Sequence, residues 1–481
     1  MVTPLHCTPE HRHLLSKNKT PPKTPRDFNH GHMISGRKLI HNCVSGVASL
    51  AFRFAPDHFE VYNPQSPYSL PTDFLFRLLR AQAMSIDAHS SQIIPRRTAM
   101  FQAVCGSLAF CSLGRALVRA QEDTLNSKIR DAIQGFVTQK EIPGAVAMVV
   151  DKERVLQVAS AGFANLETKE TLSPENLFWI ASMSKPITAI CVMMLVDEGK
   201  LSLDDPIAKY LPEMRGMKTE SGESVSISIL QTLNHTSGMR ELPAPYSDTS
   251  LSEAAEKYAA LPVHFSPGTK WQYSQTGINT AARIVEVVSQ MTFDTFVQKR
   301  LCEPLELTDT TFYLSAMQNK RLAKSYTRTA EGELKESPIF LLAGKEPTDK
   351  NRLPAANGGL FSTPGDYGRI CQMLLSNGSW SGKRLLSESS VHALATPTTG
   401  SLTTGFTNGN SWGIGCCVVQ DPQGPTAMLS KGTYGHGGAY GTQAWIDPVR
   451  GRAYLLFVQR ANFPNADASD LRLAFQKLAT Q

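Results

Sequence analysis

The alternation of hydrophobic and polar residues is most regular after residue 121. The stretch from Leu125 to Thr138 repeats its apolar residues every three to four positions, which predicts a helix. Two apolar runs follow, Ala145–Val150 and Val155–Val158, with the polar residues 151–153 between them. Short apolar runs joined by a polar turn are typical of a β-hairpin.

The longest apolar run begins after Pro186 and continues to Val196. A run of this length predicts a buried helix. Pro186 would lie in its first turn, where a missing N–H is tolerated. Gly199 is a candidate C-terminal cap of the helix.

The C-terminal third contains three strand-like runs, Trp412–Val419, Thr442–Ile446 and Ala453–Gln459, and a closing helix, Asp470–Leu478. Between the two sets of strands, a short helix after residues 204–206 and several further helices extend to about residue 310. The fold class predicted is therefore α+β. Its mainly antiparallel sheet would be built from both chain ends, flanked by helices, with a helical region inserted.

Residues 1–98 show no sustained hydrophobic period, and Pro, His, Ser and Arg are frequent there. We interpret this region as disordered, or as upstream sequence that is not translated in the cell. A small N-terminal domain is the alternative. The main domain is predicted to span residues 121–481.

Within residues 99–120, the stretch up to Gly114 is uncharged and largely apolar. Arg96 and Arg97 precede it and residues 118–120 follow it, an order typical of a signal peptide. A buried helix is the structural alternative. The signal-peptide interpretation predicts an internal translation start at Met84 and an exported protein, periplasmic or secreted. Membrane contact would occur only through the apolar segment, if it is retained.

Composition narrows the function classes. The chain has 481 residues, 41% hydrophobic content and a formal net charge of +6, as expected for an ordinary globular protein. No Lys/Arg stripe is interleaved with aromatic residues, so a nucleic-acid partner is not predicted. The nine cysteines form no Cys-x-x-Cys pair, and no metal site is predicted.

Ser182 and Lys185 stand just before the apolar helix. Residues at positions i and i+3 share one helix face, so the hydroxyl and the amine can enter one cavity. A buried lysine with a lowered pKa can take the proton of a serine nucleophile. The alternative is a serine that caps the helix beside a solvated lysine. Earlier Ser-x-x-Lys matches at Ser16 and Ser35 lack a continuous apolar helix behind them.

Two later segments carry further candidate chemistry. Tyr273, within residues 271–277, has a phenol that can act as a base if nearby cations lower its pKa. His436, within residues 434–440, is flanked by glycines that let a substrate approach the strand backbone closely. The alternatives are a core tyrosine and a surface histidine.

From about Leu125 to its C-terminus, the chain resembles the serine β-lactamase-like hydrolases. This superfamily includes class C β-lactamases, penicillin-binding D,D-peptidases and related esterases. The resemblance is carried, in order, by Ser182-Met183-Ser184-Lys185, Tyr273-Ser274-Gln275 and His436-Gly437-Gly438. Residues 233–238, 303–305 and 358–363 also match the superfamily pattern.

The resemblance implies acyl transfer through a covalent acyl-serine, with no metal or organic cofactor. Ser182 would be the nucleophile, Lys185 its base or the tuner of its base, and Tyr273 the proton shuttle to the leaving group. Backbone N–H groups of Ser182 and Ala439 would form the oxyanion hole, and Gln275 would orient the substrate and hold Lys185. The residues implied to bind substrate or the oxyanion are Gln275, His436, Gly437, Gly438 and Ala439.

Two residues depart from the β-lactamase and D,D-peptidase pattern. His436 stands where that pattern has lysine, and Gln275 where it has asparagine. A neutral imidazole binds a substrate carboxylate more weakly than an ammonium group does. The predicted function is therefore a serine hydrolase acting on esters or small amides. The alternatives are a D,D-peptidase or weak β-lactamase acting on cell-wall peptides or β-lactams, and a non-catalytic binding scaffold.

Overall fold

The structure is a computed structural model, and it describes residues 121–242, 248–405, 407–463 and 468–481. The predictions for residues 1–98, for the signal-peptide-like segment and for a start at Met84 lie outside the described residues. No helix within the described ranges has both the length and the apolar character needed to cross a membrane.

The strands and helices of the described chain have the following bounds. The strands are β1 Gly144–Asp151, β2 Val155–Asn165, β3 Glu170–Thr171, β4 Phe178–Trp179, β5 Tyr326–Arg328, β6 Leu334–Glu336, β7 Phe361–Ser362, β8 Ser379–Trp380, β9 Lys383–Arg384, β10 Asn410–Trp412, β11 Cys417–Val419, β12 Tyr434–Gly437, β13 Gln443–Asp447, β14 Arg452–Val458 and β15 Arg460–Ala461. The helices are α1 (121–138), α2 Ser184–Asp197, α3 Ile229–Leu233, α4 Leu251–Ala259, α5 Gln275–Ser289, α6 Phe293–Val297, α7 Ala316–Asn319, α8 Pro364–Leu375, α9 Glu388–Leu394 and α10 Asp470–Ala479.

An eight-stranded antiparallel sheet joins the two ends of the described chain, in the order β10-β11-β12-β13-β14-β1-β2-β3. The N-terminal strand β1 pairs with β14, with Val149 opposite Tyr454. The predicted α+β architecture and the predicted β1–β2 hairpin are both confirmed.

One predicted strand is wrong. The run Trp412–Val419 is not one strand but two, β10 and β11, which fold into a hairpin with Trp412 opposite Cys417. Gly415 adopts a φ of 65° in the turn, a conformation that glycine adopts without steric cost. A Cβ atom at this position would lie 2.7 Å from the Cβ of Ala189 in α2, so the turn packs directly on the buried helix.

Helices cover both faces of the sheet. On one face, alternate residues of β1 such as Val146 and Met148 join a core that includes α2. On the opposite face, Ala145 and Val149 pack with α1 and α10. Successive strand residues point to opposite faces, so burial of both faces explains why β1 is apolar up to its last residue, Asp151.

The helix α2 occupies the centre of the core. Every residue from Ser184 to Leu195 is buried, as the apolar run predicts. The helix contacts α5, which begins two residues after Tyr273. This contact brings the first two sequence segments with candidate chemistry together.

Candidate active site

Ser182 lies in the 3₁₀ turn Ala181–Met183, between β4 and α2. Ala181 has a φ of 47°, a left-handed conformation that is uncommon for residues other than glycine. The hydroxyl of Tyr367 donates a hydrogen bond to the backbone oxygen of Met183 at 3.0 Å. The turn is therefore anchored from the core while Ser182 itself stays half-buried at the start of the helix.

Lys185 is fully buried in the first turn of α2. Its Nζ lies 3.0 Å from Ser182 Oγ and donates a hydrogen bond to the backbone oxygen of Asn357 at 2.7 Å. Burial lowers the pKa of Lys185 well below its usual value, and the negative charge of Glu241 opposes this shift. The alternative of a capping serine beside a solvated lysine is wrong, because the N-cap of α2 is Met183 and Lys185 has no exposed surface.

Tyr273 lies between Lys185 and His436. The Lys185 Nζ is 4.7 Å from the centre of the tyrosine ring, and Tyr273 Oη is 3.3 Å from His436 Nε2. The other nitrogen, His436 Nδ1, is 2.6 Å from the carbonyl oxygen of Gly437. A carbonyl oxygen only accepts hydrogen bonds, so Nδ1 carries the proton and Nε2 accepts one from the tyrosine.

His436 is only 4% exposed, so the alternative of a surface histidine is wrong. Burial, together with the positive charge of Lys185, lowers the pKa of His436 to about 3. The ring is therefore neutral at physiological pH. Its described contacts are to Tyr273, Gly437 and the indole of Trp412, and its role in binding substrate remains a prediction.

The glycines after His436 allow the chain to approach itself. A Cβ atom at Gly438 would lie 2.6 Å from the backbone oxygen of Ile180 and 2.1 Å from Thr442 Oγ1. The Gly438 N–H donates to the backbone oxygen of Thr442 at 2.6 Å. Gly438 therefore permits a close approach to the segment that carries Ser182, and the approach of a substrate to this strand stays a prediction.

The resemblance implied that Gln275 alone holds Lys185, but the structure connects the two residues through Asn357. Gln275 Oε1 accepts a hydrogen bond from Asn357 Nδ2 at 2.8 Å, and Asn357 accepts the bond from Lys185 through its backbone oxygen. The expectation that Gln275 holds Lys185 directly is corrected in this respect. Asn357 precedes residues 358–363, which the sequence pattern had already singled out.

A small cleft of about 110 Å³ opens beside Ser182. One wall is apolar, formed by Trp179, Phe340 and Leu341, with the Trp179 and Phe340 rings 5.4 Å apart in an edge-to-face contact. The indole N–H of Trp179 donates to the backbone oxygen of Gly358 at 2.7 Å, which fixes the ring in place. The residues lining the cleft are Trp179, Ala181, Ser182, Gln275, Phe340, Leu341, Asn357, Gly358 and Ala439.

Glu241 also belongs to the site, although no sequence pattern indicated it. Its carboxylate accepts hydrogen bonds from the backbone N–H of Gln275 at 2.8 Å and of Thr276 at 3.2 Å, at the start of α5. A carboxylate is favourable at a helix N-terminus, where the N–H groups are unpaired. Burial nevertheless raises the pKa of Glu241.

The described part of the chain shows no cluster of metal ligands. Within those ranges, no group of three or more His, Cys, Asp or Glu side chains could hold a metal ion. The five described cysteines are all buried.

Comparison with known proteins identifies the class of protein. The family model described as Beta-lactamase matches residues 129–479, so the chain belongs to this family. Protein Rv1367c of Mycobacterium tuberculosis (strain ATCC 25618 / H37Rv) is 30% identical over 360 residues, covering 68% of this chain and 88% of that protein. Esterase EstB of Burkholderia gladioli is 26% identical over 370 residues, covering 70% of this chain and 91% of EstB.

Solved structures share the fold. EstCE1, described as a hydrolase with promiscuous acyltransferase activity, aligns with a TM-score of 0.65 at 21% identity, covering 75% of this chain and all (100%) of EstCE1. Unliganded simvastatin synthase LovD from Aspergillus terreus aligns with a TM-score of 0.59 at 22% identity, covering 73% of this chain and 97% of LovD. Family membership and the similarity to an esterase together make this protein a hydrolase of the β-lactamase family.

Proposed function

We propose that the protein is a serine esterase that forms an acyl intermediate on Ser182. The observation that carries this proposal is the 3.0 Å contact between Ser182 Oγ and the Nζ of the fully buried Lys185. A lysine whose pKa is lowered by burial is neutral in a larger fraction of molecules, and only the neutral amine can accept the serine proton.

Acylation begins when Lys185 takes the hydroxyl proton of Ser182 while Oγ bonds to the ester carbonyl carbon. The carbonyl oxygen becomes an oxyanion, which the backbone N–H groups of Ser182 and Ala439 stabilise. The bond to the alcohol oxygen then breaks, and Tyr273 gives this oxygen its proton and regains one from Lys185. Water repeats the sequence on the acyl-serine and releases the carboxylic acid.

The side chains around the nucleophile favour a neutral ester over a substrate that carries a carboxylate. The neutral, buried His436 supplies no positive charge to pair with an acid group. The wall of Trp179, Phe340 and Leu341 instead suits a small apolar acyl group. The similarity to EstB, named an esterase, supports the same choice.

The substrate of highest rate is expected to carry a short acyl chain. The cleft beside Ser182 has a volume of only about 110 Å³, which favours a small acyl group over a long chain. We therefore choose a butyryl ester as the test substrate.

The test is covalent labelling with a fluorophosphonate, measured beside hydrolysis of p-nitrophenyl butyrate. We expect labelling at Ser182 in the unmodified protein and neither labelling nor turnover in Ser182→Ala. The matched control is Ser224→Ala, at an exposed serine, which should behave as the unmodified protein does. Full hydrolysis by Ser182→Ala would refute the nucleophile, and an unmodified protein that neither labels nor hydrolyses the ester would support the binding scaffold.

A further inference from the structure

His235 is a second buried histidine beside the active site, and the proposed reaction does not use it. It follows α3 and adopts a φ of 65°, a left-handed conformation in which histidine and asparagine are enriched. Its side chain has no exposed surface. The ring centre lies 4.6 Å from that of Tyr273, 4.8 Å from that of Trp412 and 5.8 Å from that of Trp271.

Two hydrogen bonds connect His235 to the residues on either side of Tyr273. The backbone oxygen of His235 accepts from the N–H of Gln272 at 2.9 Å, and its ring Nδ1 accepts from the N–H of Ser274 at 3.1 Å. The tyrosine is thus held between two fixed backbone amides. Its ring also packs against the imidazole that makes the second bond.

The protonation state of the ring follows from this geometry. A backbone N–H only donates, so Nδ1 must be unprotonated and the ring proton must be on Nε2. Burial and the nearby charge of Lys185 lower the pKa of His235 well below its usual value, which keeps this neutral form populated.

The second ring nitrogen of His235, Nε2, indicates whether the ring serves as a hydrogen-bond acceptor or only fills space. Nε2 is buried and has no hydrogen-bond partner among the described residues. A buried, unpaired N–H is unfavourable, and a phenylalanine would fill similar space without that cost. The ring's one described hydrogen bond is therefore the bond to Ser274, which accounts for a histidine rather than an apolar ring here.

We infer that His235 is a positioning residue for the reaction, which fixes the backbone on both sides of Tyr273 so that its hydroxyl reaches both His436 and the leaving group. This inference rests on the proposed function, in which Tyr273 transfers the proton. Because the bond is made by Nδ1, a side chain with an acceptor at that position can replace the histidine.

Two substitutions test the inference. His235→Phe keeps a ring but removes the acceptor, whereas the Oδ1 of His235→Asn can occupy the place of Nδ1 and asparagine tolerates the same φ. We expect His235→Phe to lower kcat for p-nitrophenyl butyrate by about 10- to 100-fold with little change in KM, because the reacting groups are misplaced while the cleft is untouched. His235→Asn should recover most of this loss, and His392→Asn, at an exposed histidine, is the control.

The results separate positioning from structural support. A folded His235→Phe that keeps kcat, or a folded His235→Asn as impaired as His235→Phe, would overturn the inference. Equal losses in kcat and in affinity would indicate general loosening of the site and would also overturn it. If Tyr273→Phe, measured in parallel, retains full turnover, the proposed function fails instead.

A measurement on the unmodified protein keeps the inference testable if the variants do not fold. In protein labelled with ¹⁵N at histidine and serine, His235 should show an unprotonated Nδ1 and a protonated Nε2 from pH 5 to 8. The Ser274 amide should be protected from hydrogen exchange. A proton on Nδ1 would exclude the bond to Ser274 and with it the inference.

Discussion

At the scale of single residues, burial decides the chemistry of the site. Lys185 and His436 would both be protonated in acidic water, yet both are almost without exposed surface and both have lowered pKa values. Loss of hydration penalises the charged form of each side chain. The lysine is thereby made a base, and the histidine a neutral acceptor for the hydroxyl of Tyr273.

Lys185→Ala tests the base directly. Without an amine 3.0 Å from its Oγ, Ser182 would be left in its neutral form, and the acylation rate should fall by several orders of magnitude. Pre-steady-state acylation by p-nitrophenyl acetate measures this step. The control is Lys152→Ala, at an exposed lysine. A loss smaller than about tenfold, on the order of 1.4 kcal/mol, would show that Lys185 is not the base.

His436→Lys tests substrate choice. Since the pKa of His436 is lowered to about 3, its ring stays neutral across the working pH range, and the unmodified protein should prefer p-nitrophenyl butyrate to a chromogenic cephalosporin. A lysine at this position can pair its positive charge with the cephalosporin carboxylate. The kcat/KM for the cephalosporin should therefore rise relative to the kcat/KM for the ester. His392→Lys, at an exposed histidine, is the control. An unchanged ratio would mean that position 436 does not face the acid group of the substrate.

At the scale of elements, short segments rather than long helices shape the cleft. Phe340 and Leu341 belong to the 3₁₀ turn Phe340–Leu342, and Phe340 remains 48% exposed at the mouth of the cleft. The Tyr440 hydroxyl donates to the backbone oxygen of Pro338 at 3.0 Å, which ties this turn to the segment after β12. The turn therefore places an apolar surface beside Ser182.

Phe340→Ala tests the acyl wall. Each methylene buried contributes about 0.8 kcal/mol, so the unmodified protein should turn over p-nitrophenyl butyrate roughly 15-fold faster than the acetate, as kcat/KM. Without the Phe340 ring, this ratio should fall to about fourfold or less, because the acyl chain of the substrate then contacts water. Met317→Ala, at a residue 71% exposed, is the control and should keep the ratio. A ratio that stays high in Phe340→Ala would remove Phe340 from the acyl site.

At the scale of the whole molecule, buried neutral groups link stability to pH. His436 has a folded pKa of about 3, below its unfolded value of about 6.5, so the unfolded chain binds this proton first as the pH falls. The contribution of His436 to the free energy of unfolding is constant above pH 6.5 and decreases as the pH falls toward 3. His235, whose pKa is also lowered by burial, acts in the same direction.

Urea unfolding between pH 7.5 and 4.5 checks this dependence. In a comparison of the unmodified protein with His436→Phe, the contributions of the other titrating groups to the pH dependence cancel. Below pH 6, the free energy of unfolding of the unmodified protein should fall more steeply than that of the variant, by about 1.4 kcal/mol per pH unit. Equal slopes would show that His436 is protonated in the folded protein.

The local sequence determined much of the fold and the centre of the site. The period of apolar residues predicted the β1–β2 hairpin and the buried helix α2, because each depends on neighbours only a few positions apart. The spacing of Ser182 and Lys185 predicted that they share a helix face, and the two side chains are in contact. The run Trp412–Val419 was misjudged because a glycine turn interrupts it without breaking its apolar character.

Only the tertiary structure decided which groups surround that centre. Lys185 meets the backbone of Asn357 across 172 positions, and Tyr273 meets His436 across 163. Glu241 and His235 support the segment from Gln272 to Thr276 from a separate part of the chain. Such contacts arise when the helices pack on the sheet, and so does the desolvation that sets each pKa. No local periodicity encodes either, because both depend on which distant surfaces exclude water together.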